Sequence, residues 1–184
     1  GISEVVLKTT PLLLCGLAVM AGLKIKFWNI GVEGQFCMGA WAAGGFALFL
    51  NAKFPAFITL PLLMVIGFWA GSFWGLIPTL LKVGLNVNEI ITTLLSNYIA
   101  ALWLNHFVYG SWRDEMGFPY TSLFSQSARL PNLFGQRAHI GIFFGIITAI
   151  AFYFIFQKTK FGYKVRVLCE SSEAGRYAGI NIKF

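Results

Sequence analysis

Charged side chains are scarce in this sequence. Asp, Glu, Lys and Arg make up 11% of its 184 residues, whereas soluble domains carry about 25%. Hydrophobic residues reach 57%, and phenylalanine alone occurs 19 times. This composition argues against a soluble globular domain, and the sequence predicts a membrane protein.

Cysteine and histidine are also few, which limits the chemistry available to the chain. Cys15, Cys37 and Cys169 have neither metal-binding nor redox spacing. His106 and His139 flank a polar stretch far from any cysteine or carboxylate cluster. No GxxxxGKS or GxxxxGKT loop, the phosphate-binding motif of P-loop ATPases, is present. An intramembrane enzyme needs converging acids, histidines or metal ligands, and the sequence offers no such set.

Long runs without charge supply the predicted membrane spans. A helix needs about 20 apolar residues to cross a hydrocarbon core of about 30 Å, and in lipid only helices and closed barrels satisfy every backbone polar group. Five runs are candidates: Thr9 to Leu23, Gly34 to Ala52, Phe54 to Leu81, Ile90 to Trp112 and Ala138 to Gln157. The first is short, and prolines narrow the third to about Leu60 to Leu80. The predicted fold class is therefore all-α, a polytopic transmembrane helical bundle with about five spans.

Basic residues set the predicted orientation. With the C-terminal segment in the cytoplasm, nine Lys and Arg residues fall inside and five outside, in agreement with the positive-inside rule. Residues 1–184 then form a single transmembrane domain, with an extracytoplasmic loop at 105–137 and a cytoplasmic segment at 157–184. The net charge of +7 is spread over several loops. Because no compact basic patch forms, we expect membrane lipid and no nucleic acid among the partners.

Two polar segments interrupt the apolar runs. The first is FWNIGVEGQF, residues 27–36, in which Asn29, Glu33 and Gln35 lie among glycines at the start of a span. Glycine permits irregular backbone, which at membrane depth lies within protein or beside water. An intramembrane carboxylate favours a role in a polar pathway. The alternative is local: Asn29 caps a helix and Glu33 lies in its first turn.

The second polar segment is GLNVNEIITTLLSNYIA, residues 84–100. Asn88 is the predicted N-cap of a helix, and a carboxylate at Glu89 suits its first turn. Four polar residues then recur at helical spacing on one stripe: Glu89, Thr93, Ser96 and Asn97. This stripe favours either a pathway for a polar solute or hydrogen bonds between helices, and the two uses are compatible.

The segment near the C-terminus predicts a short helix from Glu173 to Ala178. Ser172 is a suitable N-cap, and Gly179 can end the helix with left-handed backbone. Alone in water, helices of about 12 residues are already marginal, so this helix must dock on something. Its small side chains favour a soluble partner, and lipid headgroups are the alternative.

Four motifs, in this order and spacing, resemble the permease subunit of bacterial ABC importers in the branched-chain amino acid, simple sugar and nucleoside group. They are FWNIGVEGQFCMGAWAA, GLNVNEIITTLLSNYIA, RDEMGFPYTSLFSQSARLP and KFGYKVRVLCESSEAGRYAGIN. The resemblance covers about Thr10 to Asn181 and is strongest to the nucleoside and simple-sugar branch. It implies a transport subunit of the bacterial cytoplasmic (inner) membrane rather than an enzyme.

The resemblance also implies roles for the polar segments. The substrate pathway is expected at Asn29, Glu33, Gln35, Asn88, Glu89, Thr93, Ser96 and Asn97. A cytoplasmic coupling helix that contacts the ATP-binding subunit is expected at Glu173, Ala174, Gly175, Arg176, Tyr177, Ala178 and Gly179. The implied partners are that subunit, a second permease subunit in a homodimer or heterodimer, and an extracytoplasmic substrate-binding protein or lipoprotein. ATP and Mg belong to the partner, so no cofactor and no metal are expected here.

The chain departs from the family pattern VGxNxxAARYxGI at the coupling helix. It has Val167, Leu168, Cys169 and Glu170 at the start of this stretch, and Gly175 replaces an alanine. Since glycine costs a helix about 1 kcal/mol relative to alanine, we expect a looser coupling helix. Further spans are expected after it, so the bundle is part of a larger permease. The expected function is ATP-driven import of nucleosides or simple sugars by alternating access; branched-chain amino acids on the same machinery, or an ion-coupled secondary transporter, are the alternatives.

Overall fold

The computed structural model describes residues 1–50, 54–114, 118, 120–132 and 138–170. Its helices, in chain order, are α1 (Ile2–Lys24), α2 (Val32–Leu50), α3 (Ala56–Leu85), α4 (Glu89–Tyr109), α5 (Gly141–Lys158) and α6 (Lys160–Glu170), with a 3₁₀ turn at Gln126–Ala128. Two isolated bridges, Arg113 with Thr121 and Asn132 with His139, are the β-type pairings of the described ranges. The predicted all-α fold is confirmed.

Each of the five predicted spans contains a helix. Three of these helices, α1, α3 and α5, are long and apolar enough to cross a membrane. At 19 and 21 residues, α2 and α4 have sufficient length, but their polar motifs lower their mean hydropathy. The irregular segment that follows α4 begins at Gly110, because α4 continues to Tyr109. The sequence reasoning did not anticipate α6, which lies within the segment 157–184.

Two helices, α1 and α3, extend beyond their predicted spans. The first helix begins seven residues earlier than the predicted run and contains Pro11. Similarly, α3 has 30 residues and contains Pro61 and Pro78. The hydroxyl of Thr79 donates to the carbonyl of Gly75 at 2.8 Å, the kind of local compensation that lets a membrane helix tolerate proline. At about 1.5 Å per residue α3 is about 45 Å long, so it tilts or extends beyond the hydrocarbon core.

The helices α1, α5 and α6 form one compact unit. The side chain of Leu13 in α1 packs directly on Gly145 of α5, where an added Cβ would lie 2.6 Å from the Leu13 Cδ2 atom. Near the beginnings of the same two helices, the Ser3 hydroxyl oxygen accepts from the backbone N–H of Ala138 at 3.0 Å. The last helix of the unit, α6, packs on both α5 and α1.

The helices α2, α3 and α4 form a second compact unit together with the 3₁₀ turn. In this unit α2 packs against both of its neighbours. Three residues join α3 to α4, and the first of them, Asn86, has left-handed backbone with φ 52° and ψ 32°. Asparagine tolerates that conformation better than most residues, which explains the sharp end of α3. Most of both polar motifs belongs to this unit.

Candidate functional site

In the first half of α4, the polar stripe is more buried than the apolar residues beside it. At its start, the Asn88 side-chain oxygen accepts from the backbone N–H of Ile90 at 2.9 Å, which confirms the predicted N-cap. Thr93 is completely buried, whereas Ile91 and Leu95 are 56% and 54% exposed. Thr93 therefore faces protein, and the apolar side is open, as expected of a surface that meets lipid.

The start of α2 has a glycine at its N-cap position. The carbonyl of Gly31 accepts the first helical hydrogen bond, from the backbone N–H of Gln35 at 3.1 Å. Gly31 therefore occupies the N-cap position, two residues after Asn29. The first N–H groups of a helix have no partner within it, and glycine has no side chain to accept from them. An acceptor for one of these groups comes from α4.

Asn97 of α4 supplies that acceptor. Its side-chain oxygen accepts from the backbone N–H of Gly34 at 2.7 Å, and its side-chain nitrogen donates to the carbonyl of Ile30 at 2.8 Å. One turn earlier on α4, the Thr93 hydroxyl accepts from the backbone N–H of Ile30 at 3.3 Å and donates to the Glu89 carbonyl at 2.7 Å. We call Ile30, Gly34, Thr93 and Asn97 the α2–α4 junction. Two side chains of α4 thus satisfy three backbone groups at the start of α2.

Gly34 is required by close approach at this junction. An added Cβ would lie 2.8 Å from the Asn97 side-chain oxygen and 3.1 Å from the Ser96 carbonyl oxygen. Because the carbonyl is backbone, it cannot turn away, and any side chain at Gly34 would push the two helices apart. The same Ser96 carbonyl accepts from the indole N–H of Trp74 at 3.3 Å, which connects α3 to α4. Sequence reasoning missed Trp74, since a tryptophan within an apolar run carries no positional signal.

The opposite side of α2 meets α3 through small residues. Gly67, Gly71 and Gly75 lie four residues apart on α3. An added Cβ at Gly71 would lie 3.0 Å from the Gln35 carbonyl oxygen, and one at Gly75 would lie 2.7 Å from the Gln35 side-chain nitrogen. Further along, a Cβ on Gly39 would lie 3.0 Å from the Gly67 carbonyl oxygen. We call these five residues the glycine seam. Small residues at this spacing allow close backbone approach in membranes, a signal that was present in the sequence.

An ion pair connects the end of α3 to the beginning of α4. The Lys82 ammonium lies 2.9 Å from a carboxylate oxygen of Glu89. The hydrogen bond from Lys82 holds the pKa of the Glu89 carboxyl, which precedes the predicted span, below its ordinary value. Glu89 also lies in the first turn of α4, where the helix dipole favours a negative charge. The pair therefore links the end of α3 to the start of α4.

The structure brings part of the predicted pathway together. Thr93 and Asn97 contact the backbone that surrounds Glu33, and Ser96 lies against Gly34. Glu33 itself is exposed on the first turn of α2. Asn88 and Glu89 lie at the beginning of α4; Glu89 is eight residues before Asn97, about 12 Å along a helix axis.

Other expected site residues lie elsewhere or cannot be placed. Asn29 belongs to the unit of α1, α5 and α6. The coupling-helix residues, Glu173 to Gly179, lie outside the described residues. In the part of the chain that the structure does describe, no group of three or more His, Cys, Asp or Glu side chains gathers where a metal ion could bind.

A cavity of about 450 Å³ lies near the opposite end of α2 from the junction. It is lined by residues 47–49 of α2 and by Ser111, Trp112, Ser122, Leu123, Phe124 and Ser125 from the segment after α4. The ring of Trp41 packs beside this region against Trp103, Phe107 and Trp112, with ring centroids 5.8, 5.5 and 6.4 Å away. These rings hold the segment after α4 on α2. The wall of the cavity combines serine hydroxyls with aromatic faces.

Comparison with known proteins places this sequence in a family. The chain matches the family described as "Branched-chain amino acid transport system / permease component" over residues 1–184. It is 35% identical to the glucose ABC transporter permease protein TsgB13 of Haloferax volcanii over 98% of this chain and 50% of the relative. It is 33% identical to the guanosine ABC transporter permease protein NupP of Bacillus subtilis over 99% of this chain and 53% of the relative.

A third relative is the nucleoside ABC transporter permease protein NupB of Lactococcus lactis subsp. cremoris. It is 28% identical over 100% of this chain and 53% of its own length. The chain thus spans about half the length of the curated relatives it matches. No solved structure matches it. With its apolar helices and a family match along its whole length, this chain is a multi-pass protein of the cytoplasmic membrane and belongs to the branched-chain amino acid transport system permease component family.

Proposed function

We propose that the full-length protein is the membrane-spanning permease subunit of an ATP-driven ABC importer for nucleosides or simple sugars. The observation that carries this proposal is the similarity along the whole chain to permeases named for glucose, guanosine and nucleosides. These solutes share a compact ring and several hydroxyl groups. A neutral hydroxylated solute crosses an apolar barrier only if protein polar groups replace its lost water.

The proposed pathway runs along the polar residues of α2 and α4. Thr93 is buried, and both Thr93 and Asn97 already bond to the backbone of α2. In this proposal they hold the start of α2 in place, and exposed Glu33 is the group available to a solute. Polar helix starts beside a cavity near the middle of the membrane are a common way for transporters to build a binding site. Asn29, Gln35, Asn88, Glu89 and Ser96 complete the proposed set.

Energy for import comes, in this proposal, from a partner subunit that hydrolyses ATP with Mg. The segment Glu173 to Gly179 is the proposed coupling helix that receives the movement of that subunit. The bundle, paired with a second permease subunit, then alternates between outward-open and inward-open states. A substrate-binding protein or lipoprotein delivers the solute from outside. Replacing Arg176 with Glu should uncouple ATP hydrolysis from uptake while membrane insertion is retained; unchanged uptake would contradict the assignment.

Uptake measurements test the proposal. Cells that carry or lack the intact gene, with its partner subunits present in both, are given labelled guanosine, uridine, glucose, ribose and leucine, each with unlabelled competitors. The proposal predicts that loss of the gene removes uptake of a nucleoside or a sugar and leaves leucine uptake unchanged. Loss of leucine uptake alone would favour branched-chain amino acids, the substrate class in the family description. No loss for any solute would contradict the proposal.

Glu33 offers a second, residue-level test. A Glu33→Gln variant keeps a polar side chain of similar size but removes the charge, so it should change the apparent KM for uptake without changing the amount of permease that co-purifies with the ATP-binding subunit. Thr148→Val, on α5 in the other unit, is the matched control because its hydroxyl bonds the carbonyl of Phe144 in its own helix. Loss of partner binding in Glu33→Gln would indicate a structural role instead.

A further inference from the structure

The chain turns sharply at the end of α5. The last residue of α5 is Lys158, and Thr159 adopts extended backbone with φ −103° and ψ 159°. The Thr159 hydroxyl then accepts from the backbone N–H of Gly162 at 3.2 Å, which makes Thr159 the N-cap of α6. A side chain at Gly162 would overlap the Phe156 carbonyl. The second helix therefore starts in close contact with the end of the first.

This turn lays α6 across the end of the unit that contains α1 and α5. In one continuous helix, residues 156 and 166 would be about 15 Å apart. Instead, the Arg166 guanidinium donates to the Phe156 carbonyl at 2.6 Å and to the Gln157 side-chain oxygen at 3.3 Å. At the far end of α6, the Cys169 thiol donates to the carbonyl of Lys24, the last residue of α1, at 3.0 Å. The helix thus contacts the ends of both α5 and α1 and does not continue either span.

The two sides of α6 differ in composition. Gly162 and Val165 are buried against the unit, and Cys169 follows at the same helical spacing. On the outward side, Lys160 and Lys164 are exposed and lie four residues apart. Aromatic rings flank these lysines: Phe161 is 58% exposed and Tyr163 is 57% exposed. The outward face of α6, as used below, means Lys160, Phe161, Tyr163 and Lys164.

Charge around this face is predominantly positive. Exposed Lys158 precedes α6, and Lys24 and Lys26 are exposed at the end of α1. Among the described residues, the acidic side chain of this helix is Glu170, at its last position. The surface therefore attracts an anionic partner, and several lysines contribute to the attraction.

We propose that α6 is an interfacial helix whose outward face binds anionic phospholipid headgroups. Lys158 ends a candidate membrane span, so Lys160 and Lys164 follow at the level where headgroups lie. Lysines beside aromatic rings are typical of this depth, because the rings prefer the interface and the lysine stems reach the phosphates. A soluble protein partner would need acids to meet the lysines but would not explain exposed Phe161 and Tyr163 at the end of a span. Bound lipid holds α6 against the membrane.

Lipid retention tests this proposal on the full-length permease. The double variant Lys160→Gln, Lys164→Gln is purified in mild detergent, and the ratio of phosphatidylglycerol to phosphatidylethanolamine bound to the protein is measured by native mass spectrometry. We expect the ratio to fall by about fivefold for each lysine removed, the effect of a basic residue beside an anionic membrane surface. Lys8→Gln is the control, because Lys8 is an exposed lysine near the opposite end of α1. An unchanged ratio in the double variant would overturn the proposal.

Photo-crosslinking separates lipid from a protein occupant. Benzoylphenylalanine replaces Tyr163 in the full-length permease, in native membranes that also contain the ATP-binding subunit. After irradiation, we expect a phospholipid adduct on the peptide that contains position 163. An adduct to the ATP-binding subunit in place of lipid would overturn the proposal. The same group at Val165, which is buried, should react within the chain. Because neither readout measures transport, both are independent of the solute proposed above.

Discussion

The two faces of α2 are held in opposite ways. Toward α3, the glycine seam works because side chains are absent: a Cβ at Gly71 would lie 3.0 Å from the Gln35 carbonyl oxygen. Toward α4, the junction works because two side chains are present, Thr93 and Asn97. Lipid is as apolar as the helices, so close packing and hydrogen bonds must replace the hydrophobic driving force. Adding side-chain atoms to the glycine seam should therefore destabilise the protein, whereas removing side-chain atoms from the α2–α4 junction should destabilise it.

Adding atoms to the seam should have the largest effect. Gly71→Leu places a branched side chain against the backbone of α2, and such overpacking costs about 1 to 3 kcal/mol and occasionally more. Gly84→Leu is the matched control in the same helix, because an added Cβ there meets nothing within 4 Å. The melting temperatures of both variants are measured by thermal unfolding of the full-length permease purified in detergent. Equal melting temperatures for the two variants would contradict the claim that α2 and α3 are in close contact at the glycine seam.

Removing the Asn97 amide should have the next largest effect. In Asn97→Ala, the Gly34 N–H and the Ile30 carbonyl lose their partner, and we expect a loss of about 1 to 2 kcal/mol. The control is Asn105→Ala, two turns further along α4, where the asparagine is exposed. The same unfolding measurement compares them. If Asn105→Ala lowers the free energy of unfolding as much as Asn97→Ala, the loss in Asn97→Ala does not come from the hydrogen bonds of the junction.

Removing one hydroxyl from the junction should have a smaller effect. Thr93→Val keeps the shape of the side chain but leaves the Ile30 N–H without its acceptor, at a cost of about 0.5 to 1 kcal/mol. Thr92→Val is the control with the same change in volume, since the Thr92 hydroxyl bonds carbonyls of its own helix, those of Asn88 and Glu89. A greater loss of stability in Thr92→Val than in Thr93→Val would reverse the assignment.

Changing the ion pair of Lys82 and Glu89, which lies outside the glycine seam and the junction, should have the smallest effect on stability. Its lysine side chain is 37% exposed, so water and salt screen the charges. Lys82→Glu should lower the melting temperature slightly at low salt. Adding Glu89→Lys should recover part of the loss, because the swapped pair keeps opposite charges but places each against a helix dipole. If the double variant is less stable than the single one, the two charges do not act as a pair.

Sequence patterns predicted the helices but not the contacts between them. Apolar runs predicted all five long helices, since an apolar stretch of this length in lipid has few alternatives to a helix. The Asn88 cap was also predictable, because capping is a local interaction within a few residues. The ends of α3 near Pro61 and Pro78 were not, because neighbouring groups decide whether a proline stops a membrane helix. The start of α1 was missed because the predicted run was ended at the charge of Lys8.

Long-range contacts explain what the sequence left open. The stripe of Thr93 and Asn97 was visible as a pattern, but its partner lies more than 60 residues earlier in the chain. Nothing local distinguishes a stripe that faces a solute from one that faces backbone. The start of α6, in contrast, had a readable signal in Thr159 as N-cap followed by Gly162 and Val165 at helical spacing. The basic residues around it were interpreted as a topology signal, and contact with lipid headgroups was considered only as an alternative for the predicted helix Glu173 to Ala178.

Hydrogen exchange at the start of α2 tests the central claim, that Asn97 of α4 holds this helix, most directly. The full-length permease in nanodiscs is compared with Asn97→Ala, and exchange is measured on a peptide that covers residues 28–36. The structure predicts faster exchange in the variant for this peptide, because the Gly34 N–H loses its acceptor, and no change for a peptide from the glycine seam of α3. Equal exchange rates for residues 28–36 in the two proteins would contradict the claim that Asn97 holds the start of α2.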